Sequence, residues 1–178
     1  TGSMSARASL PAGATRGMVV IHEVFGRQPE IDRVVDRFGA AGYAAVGPDF
    51  FAQTWTPICI RRALATIGSG EGPMADRIDE ARRWLCERSG VLPERVGVIG
   101  FCLGGGLALA VGRHFGAVST NYGDLPPAKV LREGPPVIGC YGGRDRMFVR
   151  NAKRLRARLD ELDKPGEIHV FPSVGHSF

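Results

Sequence analysis

The chain has 178 residues, of which 44% are hydrophobic and 23% charged, a size and balance typical of one folded domain with a buried core. Its formal net charge of +5 comes from arginines that are mixed with acidic residues, which favours solvated helix faces over a nucleic-acid surface. The sequence has no run near 18 apolar residues and no signal-peptide pattern, so no membrane span is predicted and a cytoplasmic location is expected.

The domain is predicted to occupy residues 5–178. Residues 1–4 (TGSM) are interpreted as an expression-vector remnant with an initiator Met and are left out of the fold prediction. The four cysteines form no CxxC pair and show no metal-ligand spacing with the four histidines. Reduced cysteines, no metal site and no organic cofactor are therefore expected.

The first half of the chain predicts a strand, a helix and a second strand. Residues 17–22 (GMVVIH) form a short β-branched run typical of a buried parallel strand, and this is the first clear strand of the sequence. Residues 30–41 carry apolar side chains at helical spacing, with Gly42 as a stop, and residues 43–46 are the next strand. Residues 48–73 show no clear pattern beyond a short helix near residues 60–67.

The second half alternates helices and strands. Helices are predicted at residues 76–88, 103–114 and 150–162, and strands at residues 95–100, 117–122, 136–141 and 167–171. This alternation predicts an α/β domain with a mostly parallel, doubly wound sheet and helices on both faces. In such sheets, ligands bind at the carboxyl ends of the strands.

One strand leads directly into a Gly-x-Cys-x-Gly sequence and then into an apolar helix. Residues 96–106 read VGVIGFCLGGG, which places Cys102 where the nucleophile of a strand-to-helix elbow stands. Gly100 and Gly104 flank it because a side chain at either position would collide with neighbouring backbone. The helix N-terminus is expected to favour the thiolate over the thiol.

Two simpler interpretations compete with a nucleophile at this turn. A buried cysteine is often a small hydrophobic residue, and a glycine cluster after a strand often cradles a phosphate. However, neither G-x-G-x-x-G nor G-x-x-x-x-G-K-[ST] matches the segment, which argues against nucleotide binding.

Two later residues supply the partners of a catalytic triad in the chain order nucleophile, acid, histidine. Asp145 follows the strand at residues 136–141 through a Gly-Gly turn, and His176 follows the strand at residues 167–171. Alone, the aspartate would be interpreted as a turn former and the histidine as a solvated residue. Together with Cys102, their order and context predict a Cys-His-Asp triad.

The chemistry assigns a role to each group. Cys102 attacks a carbonyl carbon, and Asp145 fixes the tautomer of the histidine. His176 either accepts the proton of the cysteine or stabilises the thiolate as an imidazolium, and then protonates the leaving oxygen. The backbone N–H groups of Leu103 and of Val24, in the loop after the first strand, are the candidate oxyanion donors. Water then hydrolyses the thioester.

Four segments together resemble the dienelactone hydrolase family of the α/β-hydrolase superfamily. They are residues 22–26 (HEVFG), residues 100–105 (GFCLGG), residues 142–145 (GGRD) and residues 175–178 (GHSF). The resemblance covers roughly residues 17–178 and implies an α/β-hydrolase fold and a cysteine-dependent hydrolase. It also implies that Glu23 contacts the resting thiol and helps to deprotonate it when substrate arrives. Family members generally begin with an antiparallel hairpin and end with a helix beyond the histidine, so this chain is expected to be short at both ends.

The substrate is not carried over by the resemblance. The arginines that hold the substrate carboxylate in the family have no secure match, although Arg61 and Arg62 lie in the poorly patterned region. The prediction is a hydrolase of a small-molecule ester or lactone, active as a monomer or homodimer. The alternatives are a thioesterase or broad carboxylesterase on the same triad, and a degenerate domain that binds a ligand without turnover.

Overall fold

A computed structural model describes residues 4–52 and 56–178 and contains a single seven-stranded sheet. The strands are β1 (Ala6–Ser9), β2 (Gly17–Ile21), β3 (Ala44–Pro48), β4 (Val96–Phe101), β5 (Ala117–Asn121), β6 (Val137–Gly142) and β7 (Gly166–Phe171). The helices are α1 (Pro29–Ala40), α2 (Thr56–Ser69), α3 (Pro73–Ser89), α4 (Leu103–Val111), α5 (Ala128–Leu131) and α6 (Val149–Glu161).

The sheet has the strand order β1-β3-β2-β4-β5-β6-β7, and every neighbouring pair except β1 with β3 is parallel. The carboxyl ends of β2, β4, β6 and β7 therefore meet at one edge, where the predicted site residues follow them. From β2, the chain adds β3 toward one edge of the sheet, and from β4 onward it adds strands toward the other edge. The point where the direction changes lies between β2 and β4, as in other doubly wound sheets. The prediction of a mostly parallel α/β domain is confirmed.

The first strand was not predicted from the sequence. β1 precedes the strand at Gly17 and pairs antiparallel with β3, so the expectation that the sheet begins at Gly17 is wrong. Its sequence, ARAS, has no apolar alternation, because an edge strand pairs on one side and its side chains are mostly exposed. Met4, assigned to the vector remnant, packs against the main core, while residues 1–3 lie outside the described residues.

Two apolar clusters lie on the two faces of the sheet. The larger one joins the sheet to α2, α3, α4 and α6, and the smaller one lies under α1, where Val20 and Ala45 pack against Ile31 and Val35. The outer helices bury one apolar stripe, whereas α4 is buried from Gly104 to Val111, and this burial removes apolar area from water and holds the strand ends in place.

The weakly patterned region contains more helix than the sequence indicates. α2 is longer than the helix expected near residues 60–67, and its residues Cys59, Ala63 and Ile67 face the core at four-residue spacing. Residues 53–55 of this region lie outside the described residues. The helix predicted at residues 103–114 is α-helical to Val111 and continues as a 3-10 turn to His114. In the described part of the chain, the helices are too short or too polar to cross a bilayer.

Candidate active site

Cys102 stands at the turn between β4 and α4 in a backbone conformation that side chains rarely adopt. Its φ is +52° and its ψ is −115°, so the residue lies outside both the strand and the helix that it joins. The turn is fixed by a hydrogen bond from Cys102 N–H to the Asn121 carbonyl (3.0 Å) and by one from Gly105 N–H to the Cys102 carbonyl (2.9 Å). This is the strained elbow that the sequence predicts.

Two glycines make the elbow sterically possible. A Cβ at Gly100 would lie 1.9 Å from the Gly104 carbonyl oxygen, and a Cβ at Gly104 would lie 2.5 Å from the carbonyl oxygens of Ile21 and His22. All of these obstacles are backbone atoms, which cannot rotate away as a side chain can. The flanking glycines are therefore required because the elbow is packed directly against the end of β2.

The acid and the histidine come together from separate loops. Asp145 follows β6 and His176 follows β7, and His176 Nδ1 is 2.7 Å from Asp145 Oδ2. The other carboxylate oxygen, Oδ1, accepts hydrogen bonds from the N–H groups of Met147 (3.0 Å) and Phe148 (3.1 Å). The aspartate side chain is 3% exposed, whereas that of the histidine is 34% exposed, so the buried acid anchors a ring that opens to solvent.

Several hydrogen bonds keep Asp145 ionised. Burial raises the pKa of this carboxyl, but the hydrogen bonds from His176 and from the N–H groups of Phe148 and Met147 together outweigh it. The net pKa is below the usual value of 3.8. Asp145 is therefore a carboxylate at neutral pH and accepts a hydrogen bond from the N–H at His176 Nδ1, which leaves Nε2 free to act as a base.

Two aromatic rings hold the imidazole of His176. Phe148 stacks on it with ring centres 5.2 Å apart, and Tyr122 meets it edge-on at 4.7 Å. Tyr122 is 4% exposed and has a positive φ of 42°, directly after β5. The ring is thus fixed by packing as well as by its hydrogen bond to Asp145.

The resting cysteine is a thiol in this environment. Burial raises the pKa of Cys102, the Leu103 N–H acts in the opposite direction, and the charges of Glu23 and Asp145 raise the pKa further. The net direction is opposite to the one expected from the helix N-terminus alone. In the described residues, no hydrogen bond joins Cys102 Sγ to the His176 ring, and catalytic contacts often tighten only when substrate binds.

Glu23 belongs to the same cluster. Its Oε1 accepts a hydrogen bond from Ser177 Oγ (2.9 Å), and its carboxylate lies close enough to the Tyr122 hydroxyl to influence it. Burial, followed by the negative charge of Glu23, raises the pKa of Tyr122, so the hydroxyl stays neutral. The carboxylate therefore lies close enough to Cys102 for its charge to act on the thiol.

The two candidate oxyanion donors come from the ends of adjacent strands. Leu103 N–H is the first amide of α4 and lies close enough to Cys102 Sγ to oppose the rise in the pKa of the thiol. Val24 lies in the turn after β2 that is closed by a hydrogen bond from Gly26 N–H to the Glu23 carbonyl (3.2 Å). Within the described residues, the Val24 N–H has no hydrogen-bond partner, so it is available to donate to a ligand.

Sequence reasoning missed three contributors to this cluster. Tyr122 gave no signal because it lies beyond β5, away from every motif. Phe148 follows the predicted acid, but only the folded loop brings its ring onto His176. Ser177 is part of the GHSF segment, yet its bond to Glu23 joins residues 154 positions apart and is invisible in the sequence.

A cavity of about 620 Å³ lies between α1 and the sheet and reaches Glu23, Tyr122 and Ser177. Of the described residues, neither Cys102 nor His176 lines it, so this cavity is not itself the reaction centre. Arg61 and Arg62 are exposed on α2, and no described contact joins them to the site. No group of three or more His, Cys, Asp or Glu residues among the described ones is arranged to hold a metal ion.

The chain is similar in sequence to one family of known proteins over nearly its whole length. The sequence profile of the dienelactone hydrolase family matches residues 4–178. A carboxymethylenebutenolidase of Pseudomonas putida is 26% identical over 187 residues, which cover 94% of this chain and 77% of the relative. A curated Escherichia coli relative is 25% identical over 182 residues, and the chain spans only 66% of its length.

Solved structures share the fold at low sequence identity. The structure of the dienelactone hydrolase-like promiscuous phosphotriesterase P91, from metagenomic libraries, superposes with a TM-score of 0.77 and 22% identity. The match covers 99% of this chain and 85% of that one. It therefore supports the α/β-hydrolase architecture of the sheet and helices.

Proposed function

The chain belongs to the dienelactone hydrolase family of carboxylic ester hydrolases, and on that premise we propose that it hydrolyses a small ester or lactone through a thioester on Cys102. The observation that carries the proposal is the 2.7 Å hydrogen bond between Asp145 and His176, formed by loops 31 residues apart beside the cysteine elbow. Membership of the family supports the reaction class, and the arrangement of the side chains supports the mechanism proposed below.

Acylation begins when the Cys102 thiol gives its proton to Glu23, which passes it to Nε2 of His176. The sulfur forms a bond to the carbonyl carbon, and the electron pair of the C=O bond moves to oxygen, which the Leu103 and Val24 N–H groups stabilise. When the carbonyl re-forms, the C–O bond to the leaving group breaks and His176 supplies the proton to the leaving oxygen. The products are a thioester on Cys102 and an alcohol, which stays tethered when the substrate is a lactone.

Deacylation repeats the sequence with water. His176 takes a proton from water as the water oxygen attacks the thioester carbon, and the same two N–H groups stabilise the oxyanion. The C–S bond then breaks, the carboxylic acid leaves, and the proton on His176 returns to the cysteine. Asp145 keeps the histidine in the tautomer that presents Nε2 in both halves.

Glu23 has a role in the first proton transfer. The raised pKa of Cys102 means that the resting enzyme holds a thiol, so a base must act when substrate arrives. The Ser177 hydroxyl holds Glu23 in place and the charge of Glu23 acts on Cys102, which suits a carboxylate that accepts this proton and passes it to His176. The same negative charge opposes formation of the thiolate while no substrate is bound.

The proposal is tested by looking for the thioester itself. The protein is mixed with p-nitrophenyl acetate, quenched in acid and digested, and the peptide carrying Cys102 is examined for an acetyl group by mass spectrometry. Cys59, Cys86 and Cys140 in the same sample are internal controls. We expect acetylation of Cys102 alone, loss of turnover in Cys102→Ala, and accumulation of the thioester in His176→Ala.

Glu23→Gln separates the two effects of the carboxylate. Removal of its charge lowers the pKa of Cys102, so alkylation by iodoacetamide at pH 7 becomes faster, whereas turnover of the ester becomes slower because the base is gone. Turnover that survives Cys102→Ala would overturn the proposal. Binding of esters and lactones without any acetylated Cys102 would favour the degenerate domain, and a strong preference for acyl thioesters would favour a thioesterase.

A further inference from the structure

A fully buried histidine that the proposed mechanism does not use lies directly before Glu23. His22 is 2% exposed at the carboxyl end of β2, and both of its ring nitrogens have partners. Nδ1 is 2.6 Å from the Glu23 carbonyl oxygen, and Nε2 is 3.0 Å from the Phe50 backbone nitrogen. The buried imidazole therefore joins the loop after β2 to the loop after β3 at the edge of the site.

The chemistry of the partners determines the tautomer. The Phe50 backbone N–H can only donate, so Nε2 of His22 must carry no proton and accept. The proton is therefore on Nδ1, which donates to the Glu23 carbonyl. Burial lowers the pKa of His22 and keeps the ring neutral, against smaller opposing effects of the Glu23 carbonyl and Asp49 and with help from Arg27 and Arg77.

The bond to Glu23 fixes the direction of the next amide. The Glu23 carbonyl and the Val24 N–H belong to one planar trans peptide unit, in which C=O and N–H point in opposite directions. The Glu23 carbonyl oxygen accepts hydrogen bonds from His22 Nδ1 and from the Gly26 N–H (3.2 Å). The peptide plane therefore cannot rotate without breaking both hydrogen bonds. The Val24 N–H therefore points away from the imidazole, and it is the amide without a partner in the described residues.

We infer that His22 is a positioning residue that orients the Val24 N–H as an oxyanion donor. The inference rests on the proposed function, because the Val24 N–H is one of the two oxyanion donors in that mechanism. It does not place His22 in contact with substrate. The ring acts through the peptide between Glu23 and Val24.

The imidazole is itself held by the core. Phe50 is 1% exposed, its carbonyl accepts a hydrogen bond from Arg77 Nη1 (2.8 Å), and its ring and that of Phe51 pack against the imidazole at 5.6 and 4.8 Å. The backbone of His22 also presses against the elbow, since a Cβ on Gly104 would lie 2.5 Å from its carbonyl oxygen. The two oxyanion donors are thus tied to the same rigid frame.

Two substitutions separate positioning from stability. Both His22→Leu and His22→Asn leave the Phe50 N–H without its acceptor, so both are expected to lower the melting temperature. Asparagine alone keeps an N–H donor at the position of Nδ1 and can still bond the Glu23 carbonyl. Leucine removes that donor as well.

The expected result is a split between the two variants. In His22→Leu, kcat for p-nitrophenyl acetate falls about ten- to a hundredfold, less than the loss of an entire oxyanion donor, while KM changes little. In His22→Asn, kcat stays within about threefold of the wild type, which is the order of one modest hydrogen-bond adjustment. The rate of Cys102 alkylation, which needs no oxyanion donor, is unchanged in both. Wild-type kcat in His22→Leu, or an equal loss in both variants, would overturn the inference.

An NMR measurement that needs no catalytic turnover tests the role of His22 separately from the proposed function. By ¹⁵N NMR, His22 is expected to show the Nδ1–H tautomer at pH 7, and the Val24 amide resonance is expected to move in His22→Leu and return in His22→Asn. An unmoved Val24 resonance, or an Nε2–H tautomer, would refute the role of His22 whatever the activity. Hydrolysis that persists in Cys102→Ala would refute the proposed function instead.

Discussion

Replacement of Asp145 by asparagine removes the negative charge of this side chain and keeps its size and shape. In the structure, Asp145 Oδ1 accepts two backbone N–H groups, from Met147 and Phe148, and Oδ2 faces His176 Nδ1 at 2.7 Å. An asparagine must keep its carbonyl oxygen toward the two backbone donors, which places its NH₂ against His176 Nδ1. Because NH₂ can only donate, the proton of the imidazole moves to Nε2.

The size of the effect follows from that change of tautomer. With Nε2 protonated, His176 cannot accept the proton of Cys102 or of water, and the imidazolium loses its carboxylate partner. In a serine protease, the same change lowers kcat by about 10⁴. We expect a loss of about 10³ to 10⁴ here, equivalent to roughly 4–5.5 kcal/mol of transition-state stabilisation.

The assay combines kinetics with a direct view of the ring. Steady-state hydrolysis of p-nitrophenyl acetate gives kcat, and ¹⁵N NMR reports which nitrogen of His176 carries the proton. Asp36→Asn is the matched control, because Asp36 forms an exposed ion pair with Arg7 far from the site and its loss is worth at most about 1 kcal/mol. A kcat for Asp145→Asn within tenfold of the wild type, or a proton retained on Nδ1, would refute this account of the triad.

Three further outcomes are expected. Gly100→Ala should destabilise the fold by about 3 kcal/mol or more, because its Cβ would lie 1.9 Å from a backbone carbonyl oxygen. Gly68→Ala, at an exposed helical position where a Cβ meets nothing within 4 Å, should stabilise the fold by about 0.5–1 kcal/mol. Urea denaturation measures both changes in the free energy of unfolding. The pKa of Asp145 is lowered on folding, so its carboxylate stabilises the native state above the unfolded pKa of about 3.8, and this contribution is lost as pH falls through the native value. Below about pH 4, the unfolding free energy of the wild type should therefore fall more steeply with acid than that of Asp145→Asn, and equal slopes would contradict the assignment. Phe148→Leu should lower kcat about two- to tenfold by removing the ring stacked on His176, and Phe148→Tyr should restore it; equal rates in the two variants would show that stacking is unimportant.

The sequence predicted most of the sheet because its parallel strands are buried. Runs such as those of β2 and β4 are continuous and β-branched, and helices with an apolar stripe separate them, so periodicity alone indicates the alternation. β1 escaped because its four residues pair on one edge and need no apolar pattern. The full extent of α2 was not predicted because few of its residues face the core, and packing rather than propensity stabilises it.

The sequence by itself determined the order of the candidate triad and the chemistry of each member. Cys102, Asp145 and His176 each follow a predicted strand, and the glycines around the cysteine are needed for a turn that can be recognised locally. These signals are short-range, since they depend on neighbours within a few positions along the chain.

The tertiary structure decided the protonation states and the supporting contacts. Burial and nearby carboxylates keep Cys102 a resting thiol, against the local effect of its helix, and the hydrogen bond between Ser177 and Glu23 joins distant segments. His22 is likewise neutral and oriented because the core supplies Phe50 as a donor. A pKa and a hydrogen-bond partner depend on what folding brings within a few ångströms, and no periodicity in a sequence encodes that distance.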